Sequence, residues 1–113
     1  GWLRILDVPE ALARRPLAGP VGVRVRVTDP QGIADGAWTL LQLGSEGLQT
    51  ASIDDGERVH VEMDIGALSA AYLGAVRLEE FAAVGRVRGD HAKIRELSNA
   101  LRTDRSPHLS IWY

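Results

Sequence analysis

Valine occupies every second position from Val21 to Val27, and Gly22, Arg24, Arg26 and Thr28 fill the places between. A period of two puts all four valines on one face of an extended strand, whereas a helix would scatter them around its axis. A strand with one apolar face needs neighbours and a covering layer, so the rest of the chain is read for both. The loop Asp29-Pro-Gln-Gly32 leads to a second strand, Ala37–Leu43, and Gly44-Ser-Glu-Gly47 turns into a third, Leu48–Ile53. Asp54-Asp-Gly56 is a hairpin signal into a fourth strand. There Val59, Val61 and Met63 face one way, and Arg58, His60 and Glu62 the other. The expectation is an antiparallel meander with one wet face.

The period changes at Asp64. Ile65, Leu68, Ala71 and Tyr72 have helical spacing, with Asp64 as N-cap and Gly74 as terminator. Leu78–Val84 reads as a short helix ending at Gly85, and Asp90 caps another whose buried stripe is Ile94, Leu97 and Leu101. In that helix Lys93, Arg95 and Glu96 are expected to face solvent. Near the start, Asp7 caps a helix that tolerates Pro9 in its first turn and stops at Pro16. The final stretch, Pro107–Tyr113, alternates again, with Leu109, Ile111 and Tyr113 on one face. It reads as a closing strand that ties the chain end, and its α-carboxylate, into the sheet. The predicted class is α+β, an antiparallel sheet of about five strands with helices on one face, in a single unit spanning residues 1–113.

A net charge of −2 gives no general attraction to nucleic acid or to an anionic membrane surface. No apolar run reaches the length of a membrane span, and no signal peptide is visible, so the cytoplasm is the expected compartment. Without cysteine the chain has no disulfide and no thiolate for catalysis or zinc. It opens on Gly1-Trp2 with no methionine, which fits a piece of a longer protein.

A self-contained active site is not visible in these residues. His60, His91 and His108 lack metal-ligand spacing, so no metal site is expected. His60-Val-Glu62 matches the first half of a zinc deaminase signature whose paired cysteines are missing, and reads as solvated sheet residues. No serine lies in a nucleophile elbow, and the glycines fit no phosphate loop. Arg24 and Arg26, beside Arg4 and Arg14, form at most a solvated or interface patch. Gly74 and Gly85 are accounted for as helix caps. This leaves a supporting or binding domain.

Several stretches in order resemble one family: Trp2–Leu12, Val23–Asp29, Met63–Gly74, Val84–Val87 and Leu101–Pro107. They are similar to the C-terminal, sterol-carrier-like domain of the enhanced-intracellular-survival type GNAT acetyltransferases. The chain departs from the family's pattern at Leu101, His108 and Tyr113, where the family favours Phe, an aromatic residue and a final Phe.

The resemblance implies a sterol-carrier-protein-like fold and a role as accessory domain of an amine N-acetyltransferase. Acetyl-CoA would be held by upstream GNAT domains, no cofactor would bind in this domain, and a tyrosine upstream would act as general acid. The implied partners are those GNAT domains, the amine substrate, and further copies in a homo-oligomer. One catalytic contribution transfers by motif to this chain, the C-terminal carboxylate of Tyr113, and the domain alone would be inactive. Two rivals are a lipid- or sterol-binding carrier, with an apolar tunnel along Leu68, Tyr72, Leu78 and Phe81, and a pure oligomerisation domain.

Overall fold

The computed structural model describes residues 7–14, 17–43, 47–54 and 56–102. Five strands form one sheet: β1 (Val21–Thr28), β2 (Gly36–Gln42), β3 (Gln49–Ser52), β4 (Val61–Asp64) and β5 (Val87–Gly89). Their spatial order is β3-β2-β1-β4-β5. Four helices accompany them: α1 (Val8–Ala13), α2 (Ile65–Tyr72), α3 (Leu78–Ala83) and α4 (His91–Leu101). The α+β class is as expected. The valines of β1 are buried as their period predicts, opposite Leu40 and Trp38 of β2 and beside Val61 and Met63 of β4.

The meander is corrected at its last step. β1 pairs antiparallel with β2, β2 with β3, and β4 with β5, but β4 lies parallel to β1. Two antiparallel steps leave β3 running in the same direction as β1, and therefore as β4. A tight hairpin cannot join strands that run the same way, so the chain must cross the sheet. The Asp54–Gly56 segment does turn, with the Glu57 N–H on the Asp54 carbonyl at 3.2 Å, but it opens a crossover and not a hairpin. The crossover passes over the face opposite the helices. Arg26 and Arg24, which point to that face, donate to the carbonyls of Glu57 (3.2 Å) and Arg58 (3.5 Å). Ala37, on the same face, is buried.

The fifth strand differs as well. It is Val87–Gly89, beyond the α3 cap, where no strand is expected from the sequence. The expected closing strand, Pro107–Tyr113, lies outside the described residues.

The helices start where their caps predict. The carboxylates of Asp7, Asp64 and Asp90 accept from the backbone N–H groups of Glu10, Ala67 and Ala92, respectively. Gly74 and Gly85 follow α2 and α3 with φ of 80° and 83°, which a side chain would resist. Val8, Leu12, Leu68, Leu78, Ile94 and Leu97 join the strand valines in one buried cluster. Tyr72 fixes α2 to α1 by donating its phenol O–H to the Ala11 carbonyl at 2.8 Å.

Lys93 and Glu96 of α4 do not point into solvent. The first residues of β1 extend past β4, which leaves the Gly22 N–H and C=O without a strand partner on that side. Glu96 accepts the N–H at 2.6 Å, and the Lys93 ammonium donates to the C=O at 2.7 Å. Among the described residues no helix is long and apolar enough to cross a membrane.

Candidate functional site

The residue assigned to catalysis on sequence, Tyr113, lies outside the described residues, as do Arg4 and His108. The apolar residues that would line a carrier tunnel lie within or against the core. Leu68 and Leu78 are fully buried, Tyr72 is buried around its phenol contact, and Phe81 packs on the cluster from its edge.

A cavity of about 170 Å³ opens elsewhere, between the start of α1 and the loop joining β1 to β2. Asp7, Val8 and Pro9 form one wall, and Ile33, Ala34, Asp35 and Trp38 the other. One buried side chain sets the second wall. Asp29, expected only as a loop residue, accepts from the N–H groups of Gln31 (2.9 Å), Ile33 (3.2 Å) and Ala34 (2.9 Å). The Gly32 N–H closes a turn onto the Asp29 carbonyl at 2.8 Å, with Gly32 at φ 70°. The signal was present in the sequence: Asp at the first position of a turn and Gly at the fourth is a turn signature, and the Asp side chain can bond its own backbone onward. The loop so fixed holds Ile33 outward, 56% exposed.

His60 is neither a ligand nor a solvated residue. Its Nδ1 accepts the Arg24 N–H at 2.9 Å, its own N–H donates to the Arg24 carbonyl, and its carbonyl accepts from Asp90. It closes the β1 edge just above the point where β4 begins. Glu62 lies between Arg26 of β1 and Arg88 of β5 on the outer face, with an Arg26 contact at 3.5 Å. The arginine patch therefore works as a set of latches on the crossover and the sheet face. Arg14 is elsewhere, paired with Glu10 one helical turn back. Among the described residues no group of three or more His, Cys, Asp or Glu could hold a metal ion.

The other charged groups are structural. Arg86 grips Asp64 through two hydrogen bonds, at 3.0 and 2.8 Å, and also lies 4.6 Å from the Phe81 ring centre. The guanidinium holds the Asp64 carboxyl below the usual carboxylate range, against the opposing effect of partial burial, and the amide of Ala67 adds to the lowering. Burial alone would raise Glu79, but the Ser98 hydroxyl, donating at 2.5 Å, and nearby positive charge bring it below the usual range.

Comparison with known proteins decides the family. A model described as "Sterol carrier protein domain" matches residues 8–110. The chain belongs to that family. This domain is 35% identical over 104 residues to the N-acetyltransferase Eis of Mycobacterium tuberculosis, covering 91% of the chain and 25% of that protein. It is 34% identical over 109 residues to an uncharacterized N-acetyltransferase of Streptomyces avermitilis, covering 94% of the chain and 25% of the relative. The crystal structure of a GCN5-related N-acetyltransferase from Kribbella flavida superposes with a TM-score of 0.71 at 26% identity, over 88% of this chain and 26% of that one. The chain thus spans about a quarter of the length of the relatives it matches, and it resembles the C-terminal domain of Eis-type N-acetyltransferases.

Proposed function

We propose that this sterol carrier protein domain is the C-terminal accessory part of a GNAT-type, acetyl-CoA-dependent amine N-acetyltransferase. In this reading it packs on the catalytic domains and presents the α-carboxylate of Tyr113 at the acceptor site. The observation that carries the reading is the 35% identity to the N-acetyltransferase Eis over 91% of the chain. The filled core around Leu68, Leu78 and Leu97 favours support over lipid carriage. Asp7 and Asp35 on the cavity walls would repel a diphosphate, which supports placing acetyl-CoA on the upstream domains. By the same resemblance the longer protein would work in the cytoplasm as a homo-oligomer, and this domain alone would be inactive.

Acyl transfer to an amine requires a deprotonated nucleophile, a stabilised thioester oxygen and a proton for the departing thiolate. A free α-carboxylate, with a pKa of about 3.5, is a weak base near neutrality. Its contribution is to attract and orient the cationic amine, or to pass the proton on through water. Enclosure in the acceptor site would raise its pKa and strengthen either role.

The test is made in the longer protein. Two glycines added after Tyr113 displace the carboxylate by up to roughly 7 Å while every side chain is kept. Acetyl transfer should fall at least tenfold with acetyl-CoA binding retained, and Tyr113→Phe should be mild by comparison. Unchanged turnover in the extended protein would leave the domain a structural support.

A further inference from the structure

We propose that the cavity beside α1 is where the upstream acetyltransferase domains grip this domain. An apolar side chain of theirs fills it against Trp38 and Ile33, and a basic residue faces Asp7 and Asp35. The proposal rests on the reading above, in which the chain is the C-terminal part of a longer N-acetyltransferase. Its test reads accessibility and not acetylation, so the two can fail separately.

Three observations converge on this surface. The first is position. Upstream domains would join through the residues before Asp7, and Asp7 itself lines the cavity. Six residues reach at most about 20 Å, so a partner surface is held near this opening at high effective concentration. The second is shape and polarity. Ile33 stands 56% exposed on a loop whose backbone Asp29 fixes, beside walls made by Val8, Pro9, Ala34 and Trp38. An exposed β-branched side chain next to a half-buried indole suits a preformed contact, because little rotamer freedom is lost when it is covered. The third is size. At about 170 Å³ the cavity is close to the roughly 150 Å³ that accepts one benzene-sized group. It falls short of the roughly 300–1,000 Å³ usual for a small-molecule site, which favours one inserted side chain over a substrate.

Charge selects the partner further. The rim carboxylates of Asp7 and Asp35 favour a lysine or arginine flanking the inserted group. A second copy of this domain related by a two-fold axis would bring the same carboxylates towards each other, and the proposal does not assign the surface to self-association.

The chain contains no cysteine, which allows single reporters to be placed in it. In the longer protein, Ile33→Cys and Val84→Cys are labelled separately with a maleimide, and each site is read by peptide mass. Each rate is divided by that of the same variant denatured in guanidinium. Residues 33 and 84 are 56% and 71% exposed in the domain, so exposure within the domain predicts similar rates. Docking as proposed slows labelling at residue 33 at least tenfold relative to residue 84. In a second variant, Ile33→Glu, protease cutting between this domain and the upstream ones should accelerate at least tenfold, with the circular dichroism spectrum of the folded protein retained. Rates at the two cysteines within threefold of each other, or cutting unchanged by Ile33→Glu, would overturn the proposal.

Discussion

Asp29→Ala should loosen the loop that shapes the cavity and cost the fold several kilocalories. The Asp29 carboxylate is buried and accepts from the N–H groups of Gln31, Ile33 and Ala34. These three amides fare differently once it is gone. Ala34 is buried, so its N–H would be left unmet, at about 1–3 kcal/mol. Gln31 and Ile33 are exposed and can turn towards water, which leaves about 0.5 kcal/mol each for the lost charge-assisted bonds. The total is about 2–4 kcal/mol, equivalent to roughly 10–20 °C in melting temperature for a chain of this size. Asp29→Asn retains one acceptor oxygen and should lose about half as much. Urea unfolding of wild type and both variants, followed by tryptophan fluorescence, provides the assay, with equal m values as the check that the same two states are compared. A melting temperature within 2 °C of wild type in Asp29→Ala would show that the turn at Gly32 holds the loop without the carboxylate, and the account of how Ile33 is presented would be wrong.

The ion pairs make the fold sensitive to acid. Asp64 and Glu79 are both held below the usual carboxylate range when folded, so each adds stability above the unfolded-state value of about 4, and that contribution is lost as pH falls through the lower folded value. The urea midpoint should therefore drop below about pH 4, and less steeply in Asp64→Asn; identical pH profiles would remove Asp64 from the argument. Gly89→Ala should be among the costliest single changes. At φ 135° the new Cβ would run into the His60 carbonyl oxygen and lie 2.9 Å from the Val61 Cα, both backbone atoms with little room to yield. A loss of at least about 3 kcal/mol is expected, against near neutrality for Gly19→Ala, which meets open space, and similar urea midpoints for the two would refute the packing described at β5.

The features that could be read from the sequence are those decided within a few residues. The valine period of β1 and the aspartate caps at positions 7, 64 and 90 each depend on local geometry, and all of them appear where they were expected. The turn at Asp54–Gly56 also forms, yet turn chemistry does not say which strand comes next. The partner of β4 is β1, some 36 residues earlier in register, and that choice is made by the shared core of Val25, Val61 and Met63. β5 escaped notice because three residues are too few to show a period.

Charge misled for a related reason. Lys93 and Glu96 have a solvent-facing pattern along α4, and Arg24 and Arg26 have one along β1, but in each case backbone groups brought from far away in the chain need those partners. The Gly22 edge takes the first pair, and the carbonyls at Glu57 and Arg58 take the second. A sheet with a crossover over its outer face has more such orphaned groups than a meander, so its charged residues are drawn inward. The cavity follows the same logic, since its walls come from residues 7–9 and 33–38, and neither stretch has the pattern of a site by itself. In an accessory domain this is the physical expectation: an active site needs several reactive groups converging, whereas a docking seat needs only a fixed hollow and a few well-placed charges. Only the folded chain brings those together.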